Sequence, residues 1–337
     1  MLIIADSREG GIADFSKQLV KKLRDKCDVK YVTPRKGKLE KIFFYLYLIL
    51  FFPLLVRKNH HINIQCLIWP VEMPIIMLSK IFGRKVSFEA HDDPLVKKFR
   101  YRPFLVRKLI FNMVDVIVTH SRYCERQTKK LVSNEKIIYI PMGLFSDIKK
   151  TGKTTKKSDI LFSGYIDRQK GIDILLRALK IVKNKIPNVK LVIWGPWKES
   201  KSDCIKLIEE EGIRKNVRIA DKHVPTEKSY EYFSKCKIVV LPHRQTTQSS
   251  VPFVAYTYKK PVIASDVGGL PEVVRHGKTG FIFRSGDHRQ LSNYILKLLK
   301  NEEMAKKMGV CGYKLITSGE FSWGNITKKY IELSKII

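Results

Sequence analysis

Residues 260–272 read Lys260-Pro261-Val262-Ile263-Ala264-Ser265-Asp266-Val267-Gly268-Gly269-Leu270-Pro271-Glu272: a short apolar run that ends in a carboxylate and then turns on two glycines. A glycine pair at a strand end lets backbone approach a ligand closely. Immediately upstream, Leu241–Ser250 (LPHRQTTQSS) is a second strand end at Pro242 followed by small polar residues. Ser249 or Ser250 is placed there to cap a helix through Val251–Tyr258. Strand, helix, strand is the βαβ unit of a parallel sheet, and its strand ends meet one helix N-terminus on the same side.

Working outward, Ile160–Gly171 (ILFSGYIDRQKG) is a further strand, ending at Ser163-Gly164, whose loop carries Arg168 and Lys170 before Gly171 opens a helix. Cations at a strand end beside a helix start form an anion site, and a nucleotide diphosphate is the anion that suits it. A surface loop with two solvated cations is the other reading. The alternation continues on both sides. Before it come strands Leu2–Ala5, Val29–Val32, Ile64–Trp69, Val86–Ala90, Val114–Thr119 and Ile137–Ile140; Ile12, Phe15, Leu19 and Leu23 repeat at helical spacing. After it come helix Ile172–Lys183, strand Val189–Gly195, helix Cys204–Glu211, strand Val217–Ala220, helix Glu227–Lys235, strand Ile238–Leu241 and strand Gly280–Phe283. Helices through Leu291–Leu299 and Ile326–Leu333 close the chain. Ser146–Ser158, polar and basic, reads as a linker. Two α/β sheets so joined leave a cleft, and open parallel sheets bind ligands beyond their strand C-termini.

The 337 residues suit two domains of about 150 residues each. Six scattered cysteines without a CxxC pair argue against a disulfide framework or structural zinc, and Met1–Ala5 has no basic region ahead of it as a secretory signal would. The net charge of +32 is spread evenly, with 29 basic against 14 acidic residues in 1–150 and 35 against 18 beyond. That spread, without a nucleic-acid-binding signature, favours an anionic membrane face or phosphate-bearing substrates over nucleic acid; a lysine-rich solvated surface accounts for part of it. Ile42–Val56 (IFFYLYLILFFPLLV) is apolar all round with basic flanks. As a helix it spans about 22 Å against a bilayer core of about 30 Å, and Pro53 would kink it. A fully buried helix and an interfacial segment dipping into a membrane both remain open; Tyr45, Tyr47 and the basic flanks favour the second.

The run Lys260–Phe283 (KPVIASDVGGLPEVVRHGKTGFIF) resembles the C-terminal half of the donor site in glycosyltransferase family 4, and Ser163–Leu179 (SGYIDRQKGIDILLRAL) is similar to that family's diphosphate loop and helix. Gly10-Gly11, Ala90–Asp93, Thr119–Ser121, Ile140–Gly143 and Phe321–Trp323 extend the resemblance in the right order over most of the chain. It implies the α/β GT-B fold, two Rossmann-like domains facing each other across a cleft. The expected boundaries are 1–148 for an acceptor domain, 149–158 for the linker, 159–320 for the donor domain and 321–337 for a helix crossing back.

The resemblance also implies roles. Lys170, helped by Arg168, would hold the donor diphosphate and stabilise the leaving nucleotide. Gly10 and Gly11 would approach the same phosphates, Gly164 would shape the loop, and the helix start at Ser249-Ser250 would add its dipole. His91 would act near the transferred sugar with Asp92 and Asp93 on the acceptor side, and His223-Val224 would border the base. Transfer would proceed with retention, the leaving phosphate oxygen taking the acceptor proton, with no metal and no cofactor besides the UDP- or GDP-sugar substrate.

Two positions depart from the family pattern. Its two glutamates eight residues apart fall on Thr246 and Val254 here, and its loop arginine falls on Tyr165. Gln248-Ser249-Ser250 resembles a known variant of that region, in which Gln248 supplies hydrogen bonds without charge. The expected activity is sugar transfer to a lipid-linked or polysaccharide acceptor, by a cytoplasmic protein peripheral at the inner membrane face; a non-catalytic protein of the same fold that binds membrane or a partner is the alternative. Lys97–Pro103 with Arg107-Lys108, basic and aromatic, is either a solvated helix face or a contact for anionic headgroups.

Overall fold

The computed structural model describes residues 1–5, 11–33, 38–66, 71–91, 104–144, 158–198, 200–220 and 226–337. Contacts divide the chain into two units, Met1–Ser146 with Glu320–Ile337, and Asp147–Gly319. The basic stretch read as the linker lies outside the described residues except for Ser158.

The first unit runs β1 (Leu2–Ala5), α1 (Gly11–Arg24), β2 (Lys30–Val32), α2 (Lys38–Arg57), β3 (His61–Cys66), α3 (Glu72–Ile81), β4 (Lys85–Ala90), α4 (Phe104–Met113), β5 (Val116–Thr119), α5 (Arg122–Thr128) and β6 (Ile137–Tyr139). Every described strand pair is parallel and the order is β2-β1-β3-β4-β5-β6. Alternate residues of each strand reach opposite faces of the sheet. On one face Leu2, Ile4, Ile62, Ile64, Val86 and Phe88 pack under α2, α3 and α4. On the other, Ile3, Val116 and Val118 pack under α1 and the last helix. That second face is unusual: β3 and β4 present His61, Asn63, Gln65, Ser87 and Glu89 to it, all buried. Parallel strands covered on both sides normally read as apolar runs. This is why the third strand, expected at Ile64–Trp69, in fact begins three residues earlier.

Helix α2 departs from one of the two readings of Ile42–Val56, that of a fully buried helix. It runs unbroken through Pro53. Phe44, Leu48, Phe52, Leu55 and Val56 are buried against the sheet, whereas Phe43, Leu46, Tyr47, Leu50, Phe51 and Leu54 are exposed. The helix is therefore not fully buried: one apolar stripe supports the core and a second one faces outward. No helix among the described residues is long and apolar enough to cross a membrane.

The second unit runs β7 (Ile160–Ser163), α6 (Ile172–Lys185), β8 (Leu191–Trp194), α7 (Ser202–Glu210), β9 (Val217–Ala220), α8 (Thr226–Lys235), β10 (Ile238–Leu241), α9 (Val251–Thr257), β11 (Val262–Ser265), α10 (Leu270–Val273), β12 (Gly280–Phe283), α11 (His288–Lys300) and α12 (Glu302–Thr317). Its described strands are again all parallel, in the order β12-β11-β10-β7-β8-β9. The chain moves outward from β7 in one direction through β8 and β9, and in the other from β10 through β11 and β12. The reversal falls between β7 and β10, where doubly wound sheets hold ligands. Helix α12 was not legible in the sequence; its core positions Ala305, Met308, Gly309, Gly312, Leu315 and Ile316 include two glycines, which blur the apolar stripe. The last helix, α13 (Trp323–Ile336), belongs to the first unit.

Candidate active site

In the second unit the loops after β7, β10 and β11 are fastened to one another. After β7, Gly164 adopts φ +137° and donates its N–H to Trp194 at 3.1 Å. A single helical turn, Arg168–Lys170, leads to Gly171 at φ +65°, which opens α6. Only glycine enters this left-handed conformation without strain. A Cβ at Gly171 would also lie 2.0 Å from the carbonyl oxygen of Pro242, so the two strand ends touch backbone to backbone. Arg244 extends that contact. Its N–H donates to the Gln169 carbonyl at 2.7 Å, and its guanidinium forks onto both carboxylate oxygens of Asp173. After β11, Gly268 sits at φ +57°, where a Cβ would lie 1.8 Å from the Thr246 carbonyl oxygen, and the Gly269 N–H donates to Thr247 at 2.9 Å.

Lys170 and His243 occupy this junction. Burial lowers the pKa of Lys170; Lys198 pushes the same way and Asp167 opposes both. An ammonium drawn out of water next to another cation gains from an incoming anion, which replaces its lost hydration. His243 is 2% exposed, and its pKa falls to about 3 through burial, aided by the charge of Lys170. The His243 carbonyl accepts from Ser265 Oγ at 2.6 Å and from Ser285 Oγ at 3.1 Å, so its backbone is fixed. Sequence reasoning gave His243 no role; its position directly after Pro242 at a strand end was the signal available. Arg168 faces a different space. With Asp173 and Arg244 it lines a cavity of about 380 Å³ that neither Lys170 nor His243 borders.

The two positions that the resemblance gives to glutamates are also visible. Thr246 Oγ1 donates to the Gln248 carbonyl at 2.8 Å, closing a local turn, and Val254 is a half-buried aliphatic side chain on α9. Neither offers a carboxylate. Ser250 stands at the N-cap of α9 without making a side-chain cap bond, against expectation, because its own backbone is already helical. Ser249 Oγ instead accepts from the Val251 N–H at 3.3 Å.

In the first unit, His91 follows β4 and His120 follows β5. The register Ala90↔Thr119 sets the two side by side, with ring centroids 4.6 Å apart and planes inclined by 29°. Gly11 opens α1. Gly10, Asp92, Asp93, His223 and Val224 lie outside the described residues, as do Lys97–Pro103. Glu89, His91 and His120 bring one oxygen and two ring nitrogens within 4.8 Å of one another, which raises metal binding as a possibility. The rings are stacked, however, so their in-plane lone pairs run side by side and do not converge on one ion as zinc ligation requires.

A family model described as glycosyl transferases group 1 matches residues 145–315, just over half of the chain. The chain belongs to the glycosyl transferases of group 1. Among relatives of this family, an uncharacterized glycosyltransferase of Methanocaldococcus jannaschii is 30% identical over 65% of this chain and 60% of its own length. A capsular polysaccharide biosynthesis glycosyltransferase of Staphylococcus aureus is 26% identical over 70% of this chain and 66% of its own. The chain thus matches somewhat less than two thirds of the length of these relatives. HepE of Anabaena, solved in complex with UDP, superimposes with a TM-score of 0.77 at 17% identity, covering 100% of this chain and 99% of that one. The fold is accordingly GT-B, with two Rossmann-like units.

Proposed function

We propose that this chain transfers a sugar from a nucleotide-sugar, a UDP-sugar foremost, to a lipid-linked or polysaccharide acceptor at the inner face of the cytoplasmic membrane. One observation carries the reading. A partly desolvated Lys170 stands where β7 and β10 part, between glycine turns that bring bare backbone to the same place. Such a junction binds a diphosphate and stabilises charge on a leaving nucleotide. The proposed roles are Lys170 on the diphosphate; Gly10, Gly11, Gly164 and the Thr246–Ser250 loop around the donor; and His91 with Asp92 and Asp93 toward the acceptor. His223-Val224 would border the base. UDP as donor nucleotide is supported by the ligand of HepE, and a polysaccharide acceptor by the name of the staphylococcal relative.

In the proposed reaction the bond between the sugar anomeric carbon and the diphosphate oxygen breaks while the acceptor oxygen bonds to the same face of that carbon. The acceptor proton passes to the leaving phosphate oxygen. This needs no protein base and no metal, and it retains configuration.

The membrane part of the proposal rests on the layer that α2, α3 and α4 form over one face of the first sheet. To the outward stripe of α2 it adds exposed Met77, Ile81, Leu105 and Leu109, together with exposed Arg57, Lys58, Lys80, Lys85 and Lys108. Apolar side chains interspersed with cations are the composition of a surface that lies in anionic headgroups.

Thermal shift with UDP-, GDP- and ADP-sugars tests the donor reading. Stabilisation by one donor that disappears in Lys170→Ala supports the enzyme. No shift with any of them favours the non-catalytic alternative, for which Thr246 and Val254 at the glutamate positions are the motive.

A further inference from the structure

The first unit buries a carboxylate that the proposed reaction does not use. Glu89, on β4, has a fully buried side chain, and its two oxygens gather four contacts. Asn63 Nδ2 donates to Oε1 at 2.7 Å, the Tyr330 hydroxyl reaches both oxygens at 3.0 Å, and His120 Nε2 lies 2.9 Å from Oε2. Asn63 is braced in turn by Gln65, and Gln65 by Ser16 of α1. Tyr330 comes from α13, 241 residues away in sequence.

One ring nitrogen of His120 has a partner that fixes its role. His120 Nδ1 is 2.8 Å from the Ile140 carbonyl oxygen, which can only accept, so Nδ1 carries a hydrogen. Nε2 lies 2.9 Å from Glu89 Oε2, close enough for an ion-pair contact but not aligned as a hydrogen bond. The bond from Nδ1 and the carboxylate packed against Nε2 together hold the ring in one orientation. It is this ring that His91 stacks on, while Phe15 of α1 meets both imidazoles edge-on and itself stacks on Trp323 of α13.

We propose that Glu89, His120 and Tyr330 are positioning residues that fix the ring of His91, and that the last helix thereby contributes to the acceptor side of the reaction. This rests on the reading of His91 as an acceptor-side residue. His120 is the platform, Glu89 packs against its Nε2, and the Tyr330 hydroxyl holds Glu89 in the orientation that the lock needs. A carboxylate buried among apolar helices costs stability unless it is hydrogen-bonded; this one is, on both oxygens, by Asn63 of β3 and Tyr330 of α13.

Selective ¹⁵N-histidine labelling of the full chain tests the lock without needing a substrate. In the parent, His91 shows a single sharp set of ring signals. In both Glu89→Gln and Tyr330→Phe the His91 resonances shift or broaden, with unchanged circular dichroism. Unaltered His91 signals in the two variants overturn the proposal. Release of UDP from UDP-glucose supplies the second readout. Glu89→Gln and Tyr330→Phe lower kcat by on the order of tenfold with the donor KM unchanged. If His91→Ala lowers kcat and these two variants do not, the positioning role fails and the acceptor reading stands. If His91→Ala leaves kcat unchanged, the acceptor reading fails whatever the spectra show.

Discussion

The main-chain N–H of Arg244 donates to the carbonyl of Gln169 at 2.7 Å, so the loop leaving β10 is pinned to the turn that carries Lys170. The pin works only because the neighbouring residue, Gly171, has no side chain to hold the loops apart.

Gly171→Ala introduces a Cβ in a left-handed backbone, 2.0 Å from the Pro242 carbonyl oxygen. The two strand ends must separate. We expect a loss of about 2–3 kcal/mol in chemical denaturation and no donor-induced thermal shift. Native stability together with an intact shift would show that the contact is dispensable.

Lys170→Ala and Lys170→Arg separate charge from shape. The alanine variant removes the cation and should weaken binding of UDP by on the order of a hundredfold, as is usual for losing a charged partner of a buried anion. Arginine keeps the charge but spreads it over a planar fork too large for a half-buried ammonium site, so binding should recover only in part. Isothermal titration of UDP against the parent and both variants reads the difference; parent-like affinity in the alanine variant would mean that Lys170 does not touch the diphosphate.

His61 and His243 should make the fold acid-sensitive. Burial lowers both pKa values to about 3, whereas the unfolded chain protonates near 6.5. Between those values the unfolded state binds more protons, so stability is fully present above about pH 6.5 and is lost as pH falls toward 3. Each histidine contributes on the order of a few kcal/mol across that window. Urea midpoints measured from pH 7 to pH 4 should fall more steeply for the parent than for His243→Gln; parallel curves would rule out a buried neutral His243.

Phe43→Ser, Leu50→Ser and Leu54→Ser together should abolish flotation with vesicles containing anionic lipid while leaving thermal stability near that of the parent, because all three side chains face outward from α2. Phe52→Ser, from the buried stripe of the same helix, should instead unfold the first unit. Flotation undiminished in the triple variant would remove α2 from the membrane proposal.

Much of this was legible in the sequence, and the exceptions have physical causes. The KPVIASDVGGLPE run gave strand, turn and glycine pair together, because buried strands and positive-φ turns restrict residue choice severely. The Ile160–Gly171 loop was equally open to reading. Helix α2 was ambiguous because period-3.6 analysis distinguishes faces only when they differ in polarity, and both of its faces are apolar. The polar side of β3 and β4 was invisible for the opposite reason. His61, Asn63, Gln65, Ser87 and Glu89 look like solvent-facing residues until the two strands set them beside one another and Tyr330, far away in sequence, bonds to Glu89. His243 was overlooked because a histidine in a polar loop carries no sign of burial; what buries it is the packing of three separate strand ends.

Helix α13 returns to the first unit after the whole of the second has been threaded between. On the ribosome, the second unit can close as soon as its own residues have emerged. The first cannot, although its strands were made earlier. Until α13 is released, Glu89 lacks the Tyr330 hydroxyl and the pocket beside Phe15 lacks Trp323. The half of the molecule synthesised first is therefore the last to be finished, its Ile3, Phe15 and Val118 surface sealed only when this helix packs against it.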